Sequence, residues 1–544
     1  SLGCRLPHGG VGSVHSSQNI EGGVHLTRNN SLGGFPGLMS QTSTEADVSI
    51  CDRTNAIVRG LVLIIEHHGA REKVTRALDA QVHCFLDNSL DEGIWLKKVK
   101  YLLAYPLAKY LDNVLPPSPC GAFTPCGYLK RWMKARFNSF NRKNTHLWSS
   151  WFQSKRCGLP CSDFFVQKTY DSHFATLSGD DVGQNSTIDS IFTDKTFLKV
   201  LEKLRDAVTA QHSQVRKFTH TASSNASYEM GRSKGGQHAE LQRQSINLGS
   251  VCSICKAIIG LNCTCDSPTP DHPVVLTSDE LRSISYYVTT SGQTRRADRC
   301  VECRAPPGEE DWSLLQKTRR LDLSEPLHCT IQAVLEPLKV RVISKGPALA
   351  YYSCKPLQKT LHSAMRRMPC FRLIGRKFCP TDILDLSIKS DIKDHWFSVD
   401  YSAATDGLSW KYSKRIMEYL IQDLSEYQQQ LYLRVLGPHT LCYPDEKGRS
   451  VKRGLQRRGQ LMGSILSFPI LCLANLGVYL ETNRCMQALW SPRERLNHVL
   501  INGDDMLYSA VPNLWEHHIR VASDVGLEMS IGKSYCHPIY ANIN

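Results

Sequence analysis

Apolar residues recur at every third or fourth position in several stretches of the chain, as they do on the buried face of a helix. This spacing predicts helices in AIVRGLVLIIEHH, which begins at Ala56, and in TFLKVLEKLRDAV, which begins at Thr196. Residues 1–50 are rich in Gly, Ser, Asn and His without such a period, which predicts a flexible arm. A second polar interval, at 207–250, predicts a linker.

One segment alternates strictly between apolar and polar residues. The sequence LKVRVISK at 338–345 therefore predicts a strand. The alternation places valines on one face and three cations on the other, namely Lys339, Arg341 and Lys345. A basic strand face suits phosphate, although an ordinary solvated strand has the same pattern.

Short apolar runs deliver carboxylates to the ends of predicted strands. The run WFSV is followed by Asp400, and Asp406 lies near the start of the next predicted helix. The sequence NGDD at 502–505 lies between two further apolar runs and is typical of a hairpin, with Asp504 and Asp505 at its turn. A strand end holds a ligand group rigidly, so these positions are candidates for chemistry.

Adjacent aspartates repel each other unless a cation neutralises them, so the hairpin indicates a metal site. Mg²⁺ prefers a few carboxylates together with the phosphate oxygens of a substrate, and a pair of such ions suits nucleotidyl transfer. We therefore predict that Asp400 and Asp504 bind Mg²⁺ or Mn²⁺, and that Asp505 supports them.

A glycine-bearing segment, RRGQLMGSILSFP at 457–469, leads into the uncharged run SILSFPILCLANLGVYL. Glycines let a backbone approach a ligand closely, and a helix N-terminus favours anions. Gly459, Gly463 and Ser464 are therefore candidates for a template or nucleotide loop, although a structural loop has the same composition. The uncharged run predicts a buried helix; as a membrane span it is short and polar at its centre.

Composition adds a polyanionic partner to this picture. The 544 residues, of which 41% are hydrophobic, suffice for several packed subdomains, and the net charge of +14 indicates nucleic acid. The chain has 21 cysteines, an odd number, and we recognise no secretory leader in the sequence. Together these features predict that the thiols are reduced. Two CxxC pairs are candidates for structural Zn²⁺, the alternative being unligated thiols: Cys252, Cys255, Cys300 and Cys303.

In this order the segments resemble the palm motifs of positive-strand RNA virus RNA-dependent RNA polymerases. Their sequences are most similar to those of the botourmiaviruses, which are ourmia-like viruses. DYSAATD resembles motif A, GQLMGSILSFPILCLAN motif B, NGDD motif C and GLEMSIGKSY motif D, and KVRVISKG resembles motif F. The stretch LWSSWFQSKRCGLPCSDFFVQKTY at 147–170 also resembles an N-terminal part of that family.

The resemblance implies roles for the matched residues. Lys533 would protonate the pyrophosphate leaving group beside the metal-binding aspartates. The incoming nucleotide would be held by Lys339, Arg341, Lys345, Asp406, Ser467 and Asn475. Within this set, Asp406 would contact the ribose 2′-hydroxyl, with Asn475 as its partner.

The implied fold is α+β, a right-hand polymerase whose palm is an antiparallel sheet flanked by helices, with largely helical fingers and a mostly truncated thumb. The expected parts are an arm (1–50), a helical region (51–206), a polar linker (207–250), fingers with the Cys-rich segment (251–395) and a palm (396–544). The implied partners are RNA template and product and ribonucleoside triphosphates, in the host-cell cytoplasm and without an integral membrane segment.

Three other functions share part of this pattern. A reverse transcriptase has the same palm carboxylates, but Asp406 and the GDD sequence favour ribonucleotides. A non-enzymatic RNA-binding protein explains the positive charge but has no use for carboxylates at a hairpin turn. A P-loop ATPase is suggested by GLEMSIGKS at 526–534, but five residues instead of four separate its glycines.

Overall fold

The computed structural model describes residues 49–86, 91–113, 121–213, 223–246, 323–387 and 394–543. Almost all of the predicted arm lies outside these ranges. The candidate zinc ligands Cys252, Cys255, Cys300 and Cys303 also lie outside the described residues. The arm and the zinc site therefore stay predictions.

The N-terminal half of the described chain is helical, as its apolar period predicted. Its helices are α1 (Ile50–His67), α2 (Glu72–Leu86), α3 (Glu92–Tyr110), α4 (Gly127–Phe137), α5 (Arg142–Gln153), α6 (Asp163–Ser178), α7 (Asn185–Ile191), α8 (Lys195–Ser213) and α9 (Gly236–Ile246), with 3-10 turns at Ser154–Cys157 and Arg232–Lys234. Polar side chains fix several starts, since Ser49, Asp91 and Ser162 accept hydrogen bonds from backbone amides in the first turn. Both helices predicted from the sequence are thus confirmed, as α1 and α8.

The interval 207–250 contains ordered helix where the sequence predicted a polar linker. Helix α8 continues to Ser213, and α9 occupies Gly236–Ile246. Glu240 of α9 is buried, and its carboxylate accepts hydrogen bonds from the backbone amides of Glu229 and Ala348. The linker prediction is wrong for 223–246, because a buried and bonded carboxylate anchors this segment to the rest of the fold.

The C-terminal half combines helices with strands. Its helices are α10 (Ala348–Ser353), α11 (Lys355–Met365), α12 (Pro380–Ser387), α13 (Ala404–Gly407), α14 (Trp410–Ile421), α15 (Glu426–Leu436), α16 (Ser467–Thr482), α17 (Pro492–Asn497) and α18 (Leu514–Asp524), with 3-10 turns at Pro369–Phe371 and Arg484–Ala488. The strands are β1 (His328–Glu336), β2 (Lys339–Lys345), β3 (His395–Val399), β4 (Tyr401–Ser402), β5 (Thr440–Pro444), β6 (Ser450–Leu455), β7 (Val499–Asn502), β8 (Asp505–Ala510), β9 (Glu528–Met529) and β10 (Tyr535–His537). The strands predicted from alternation and from apolar runs are β2, β3, β7 and β8.

Two four-stranded sheets organise this half of the chain. The first, which we call the carboxylate sheet, has the order β10-β3-β8-β7 and is antiparallel throughout. The second, the basic sheet, has the order β2-β1-β5-β6 and is antiparallel except between β1 and β5. Strands β4 and β9 form a separate short pair. The predicted α+β class is therefore confirmed.

Alternate side chains of the carboxylate sheet enter different cores, as the two-residue period of a strand requires. Phe397 and Tyr508 share one core with the buried faces of α14, α16 and α18. Leu500 and Leu507 belong to a smaller cluster on the other face. The uncharged run forms α16 and is buried along its length, as predicted. Among the described helices, none is long and apolar enough to cross a membrane.

Helices α1–α5 form a second core, which includes Trp95 and Trp148. Three residues from distant parts of the chain join it: Leu338 and Val340, on either side of Lys339, and Tyr535 of β10. We call this the shared core. It fixes the start of β2 and the last strand of the carboxylate sheet against the N-terminal helices.

Polar contacts also tie the N-terminal half of the chain to helices α14 and α17 of the C-terminal half. Asp194, just before α8, lies 2.7 Å from a guanidinium nitrogen of Arg495 in α17, and both side chains are almost completely buried. Asp181 accepts hydrogen bonds from the backbone amides of Trp410 and Lys411 at the start of α14. The N-terminal helices are thus part of the framework that positions the sheet.

Candidate active site

Asp400 and Asp504 lie at neighbouring strand ends. Asp400 directly follows β3, and Asp504 is in the turn between β7 and β8. Strands β3 and β8 pair up to Val399 opposite Met506, which brings the two carboxylates to the same edge of the sheet. Burial raises the pKa of Asp504, and the negative charge of Asp400 raises it further. The structure thus brings together the two residues predicted to bind metal.

The segment that resembles motif D clamps the backbone of Asp400. The Ser534 hydroxyl donates to the carbonyl oxygen of Asp400 at 2.7 Å and accepts from its backbone N–H at 3.0 Å. The backbone N–H of Ser530 donates to the same carbonyl at 2.9 Å. Lys533 lies between these serines, with its Nζ 3.3 Å from Asp400 Oδ1. The predicted proton donor therefore lies beside the predicted metal ligand.

Asn475 supports the hairpin turn from within α16. It is completely buried, and its Nδ2 donates to the carbonyl oxygens of Gly503 at 3.2 Å and Asp504 at 3.3 Å. Its Oδ1 accepts from the hydroxyl of Tyr401 at 3.1 Å. The predicted ribose contact is therefore wrong, because the whole amide is engaged beneath the turn and has no accessible surface.

The donor set suits a hard divalent cation. Within the part of the chain that the structure describes, no group of three or more His, Cys, Asp or Glu side chains could hold a metal ion by itself. Mg²⁺ does not require such a group, since it binds through one or two carboxylates and completes its shell with water and substrate phosphates. Asp400 and Asp504 fit this requirement. Asp505 begins β8 opposite Asn502, and its supporting role stays a prediction.

The three basic residues predicted to bind phosphate lie at different distances from the aspartates along β2. Lys339 lies close enough to Asp400, Lys533 and Arg341 for their charges to affect its pKa, although burial lowers that pKa most. The Arg341 guanidinium pairs with Glu336 of β1, with the two charged groups 2.6 Å apart. Lys345 ends the strand, about 20 Å from Lys339 at the usual rise per residue. This separation weakens the prediction that all three hold one triphosphate.

Two lysines of the N-terminal helices join the site, and the motifs did not predict them. Burial lowers the pKa of Lys155, and Lys533 and Asp400 are among the charges that affect it. Burial also lowers the pKa of Lys100 in α3, with a further contribution from Lys533. Lys100 and Lys339 are nevertheless exposed to solvent. A lysine on the wall of a cleft has both properties, because protein surrounds it on several sides while its side chain still reaches water. We call Lys100, Lys155, Lys339 and Lys533 the lysine cluster.

A signal for Lys155 was present in the sequence. Residues 113–162 contain no Asp or Glu and eight Lys or Arg residues, a local excess that indicates contact with a polyanion. The geometry agrees, because Leu338 next to Lys339 donates its backbone N–H to the carbonyl oxygen of Leu159 at 3.4 Å. Lys100 is an exposed residue of the largely buried helix α3, and nothing in its sequence context distinguished it.

The glycine-bearing loop approaches two backbone segments of the site. Gly459 has a φ of +74°, and a Cβ there would lie 2.5 Å from the carbonyl oxygen of Asp406. Gly463 has a φ of +129°, and a Cβ there would lie 2.2 Å from the carbonyl oxygen of Ser344 in β2. The glycines thus permit the loop to pack on the turn that carries Asp406 and on the basic strand.

The two serines of this loop brace it internally. The Ser464 hydroxyl donates to the carbonyl oxygen of Val435, and the Ser467 hydroxyl to that of Leu461, both at 3.0 Å. Both serines are buried. Each hydroxyl thus donates to the backbone that shapes the loop, and the nucleotide contact of Ser467 and the loop role of Ser464 stay predictions.

Asp406 lies in the short helix α13 beside an unexpected neighbour. Burial raises the pKa of Asp406 to about 6, and the hydroxyl of Thr405 lies 3.1 Å from its Oδ1. His173 of α6 places its Nε2 3.9 Å from the same oxygen. A single histidine in a helix gives no functional signal, so the sequence did not predict this contact.

Comparison with known proteins places these features in context. No family model matches the chain. The RNA-dependent RNA polymerase of Ourmia melon virus (isolate Melon/Iran/VE9) is 26% identical over 479 residues, which cover 82% of this chain and 50% of that protein. The chain thus spans about half the length of this curated relative.

Solved structures give a weaker similarity. The RNA-dependent RNA polymerase of a human picorbirnavirus and its insertion loop deletion mutant each give a TM-score of 0.36 at 12% identity. They cover 70% of this chain and 60% and 61% of their own. The similarity to the RNA-dependent RNA polymerase of Ourmia melon virus covers most of this chain, and it confirms the resemblance that the motifs indicated.

Proposed function

We propose that this chain is the catalytic core of a viral RNA-dependent RNA polymerase, which replicates a positive-strand RNA genome in the host-cell cytoplasm. The observation that carries this proposal is the convergence of Asp400 and Asp504 at one edge of the carboxylate sheet, beside the lysine cluster. The sequence similarity to the polymerase of Ourmia melon virus supports the same activity. The carboxylate sheet would be the palm of a right-hand polymerase, and the basic sheet would belong to its fingers.

The proposed reaction is the attack of an RNA 3′-hydroxyl on the α-phosphorus of a ribonucleoside triphosphate, directed by an RNA template. Held by Asp400 and Asp504, with Asp505 in support, two Mg²⁺ ions would stabilise the charge on the attacking and leaving oxygens. The chain itself contributes positioning. Ser530 and Ser534 hold the backbone of Asp400, so its carboxylate is oriented before substrate binds.

The lysine cluster would hold the phosphates. Lys339 and Lys155 would bind the triphosphate through charge, because the cleft partly excludes water and strengthens such pairs. Lys533 would give a proton to the departing pyrophosphate. Asp406 would accept a hydrogen bond from the ribose 2′-hydroxyl and so select ribonucleotides.

Template-directed RNA synthesis by the full chain tests this proposal. The assay compares the parent with Asp504→Asn, which removes the charge and keeps the size, in the presence and absence of Mg²⁺. We expect the parent to depend on Mg²⁺ and the variant to lose roughly a thousandfold in rate, corresponding to about 4 kcal/mol. RNA binding, which depends on basic side chains, should persist.

Asp189→Asn is the matched control, because Asp189 is an exposed carboxylate that pairs with Arg415 on the surface. We expect it to synthesise RNA at the parental rate. Equal synthesis by the parent and Asp504→Asn would remove the catalytic assignment. Preferred use of deoxyribonucleotides would indicate a reverse transcriptase. If the parent and both variants bound RNA but none synthesised it, the chain would be a non-enzymatic RNA-binding protein.

A further inference from the structure

The carboxylate of Asp406 has a histidine neighbour from the N-terminal half of the chain. His173 of α6 places its Nε2 3.9 Å from Asp406 Oδ1, and only 5% of the His173 side chain and 20% of the Asp406 side chain are exposed. A buried carboxylate requires hydrogen-bond donors. Thr405 lies beside it in the chain, whereas Asn475 is engaged elsewhere. His173 therefore stands where a partner for Asp406 is needed.

The orientation of the imidazole is set by Tyr443 of β5. The hydroxyl oxygen of Tyr443 lies 2.7 Å from His173 Nδ1 in a buried environment. Burial lowers the pKa of His173 to about 4, so the ring is neutral at pH 7 and carries one proton. Burial also raises the pKa of Tyr443, which keeps its hydroxyl protonated and able to donate. With Nδ1 accepting from Tyr443, the proton lies on Nε2 and faces Asp406.

Helix α6 is anchored on both sides of this contact. The Tyr170 hydroxyl accepts from the backbone N–H of Ala333 in β1 at 2.7 Å. The carbonyl oxygen of Leu177 accepts from the backbone amides of Arg457 and Arg458 in the glycine-bearing loop, at 2.7 and 3.1 Å. These bonds hold His173 between the basic sheet and the loop that packs on Asp406. A shift of about 1 Å on nucleotide binding would complete the hydrogen bond, as often occurs when an active site closes.

We propose that His173 is a positioning residue for Asp406, which it orients toward the sugar of the incoming nucleotide, so that selection of ribose depends on a side chain of the N-terminal helices. This inference rests on the proposed polymerase function and on the role of Asp406 in it. The hydroxyl of Tyr443 fixes the imidazole, and the imidazole N–H fixes the carboxylate. The carboxylate then presents its free oxygen lone pairs to a 2′-hydroxyl.

The test measures how strongly the full chain prefers a ribonucleotide over the matching 2′-deoxyribonucleotide, as the ratio of their kcat/KM values. His173→Phe keeps a ring of similar shape and removes both nitrogens. We expect it to reduce the ratio roughly tenfold, the effect of one hydrogen bond to a charged group. His173→Gln retains an N–H donor and should recover most of the preference. Tyr443→Phe frees the imidazole and should cause a smaller loss.

His212→Phe is the matched control. His212 of α8 makes the same kind of pair, with its Nε2 2.5 Å from the hydroxyl of Tyr432, in a different part of the fold. Removing it should leave the sugar preference unchanged. A purely structural role for His173 would lower thermal stability and both kcat/KM values together, without changing their ratio.

The outcomes separate this inference from the proposed function. If the parent synthesises RNA and His173→Phe keeps the parental ratio, the positioning role is wrong. If the parent synthesises no RNA, the polymerase proposal fails, and equilibrium binding of ATP and dATP still decides the role of His173. If the parent and His173→Phe then bound ATP in preference to dATP to the same extent, the positioning role of His173 would be wrong. If His173→Phe does not fold, Tyr443→Phe decides by the same ratio.

Discussion

The carboxylate sheet and the N-terminal helices contribute to one site in different ways. The sheet presents Asp400 and Asp504 at strand ends, each within a local sequence pattern that marks its chemistry. The N-terminal region presents Lys100 and His173 from helices that carry no such pattern, and Lys155 from a stretch marked only by its excess of positive charge. The groups that we propose to hold metal are thus encoded locally, whereas those that we propose to surround the substrate depend on how distant elements pack.

The largest effect should come from separating the two regions. Arg495→Met removes the cationic partner of the buried Asp194 carboxylate, so we expect unfolding to require about 3 kcal/mol less free energy. Denaturant unfolding measures the change. The control is Arg415→Met, which removes an exposed pair with Asp189 between the same regions and should cost less than about 1 kcal/mol. Similar losses in both variants would mean that the N-terminal helices are not anchored by the buried pair.

The next effect concerns the loop between the two regions. Gly459→Ala places a Cβ 2.5 Å from the backbone of Asp406 at a φ of +74°, so the loop or the turn must move. A displacement of about 1 Å at a reacting centre costs roughly a hundredfold in rate. We expect this loss in RNA synthesis with folding retained. Gly448→Ala is the control, because its φ is also positive but its Cβ would meet open space.

A pH effect should follow from the burial of Asp406. Its pKa is raised to about 6, so the folded state holds the proton more tightly than the unfolded state does. The stability from this group is present below about pH 4 and is lost as the pH rises through 6. The asparagine of Asp406→Asn does not titrate. Between pH 4 and 7 the free energy of unfolding of the parent should therefore fall by up to about 2 kcal/mol relative to that of the variant, as measured by denaturant unfolding at each pH. If the free energies of unfolding of the parent and Asp406→Asn changed in parallel with pH, the raised pKa of Asp406 would be wrong.

The smallest effect sharpens the role of the lysine cluster. Lys155→Met removes one charge in a partly solvated cleft, so KM for the ribonucleoside triphosphate should rise about fivefold with kcat nearly unchanged. Lys155→Arg should restore it. Lys199→Met removes an exposed lysine from α8 and serves as the control. An unchanged KM for Lys155→Met would leave phosphate binding to the motif residues alone.

The sequence was informative where chemistry and local conformation coincide. Asp504 could be predicted because the hairpin, the repulsion between adjacent aspartates and the flanking apolar runs are all visible within ten residues. Asn475 could not be assigned correctly, since its amide bonds to backbone carbonyls of a turn that is distant in sequence. His173 was undetectable for the same reason. The 223–246 segment was misjudged because its polar residues, Glu240 among them, are satisfied by long-range hydrogen bonds.

The shared core has a mechanical consequence. Leu338, Val340 and Tyr535 contribute to the same apolar interior as the tryptophans of the N-terminal helices. Rotating β2 or β10 away from those helices would expose this interior to water, at a cost that grows with the apolar area uncovered. We therefore expect Lys339 and Lys533 to keep a nearly constant spacing from Lys155, and any conformational change of the site to pivot around this block.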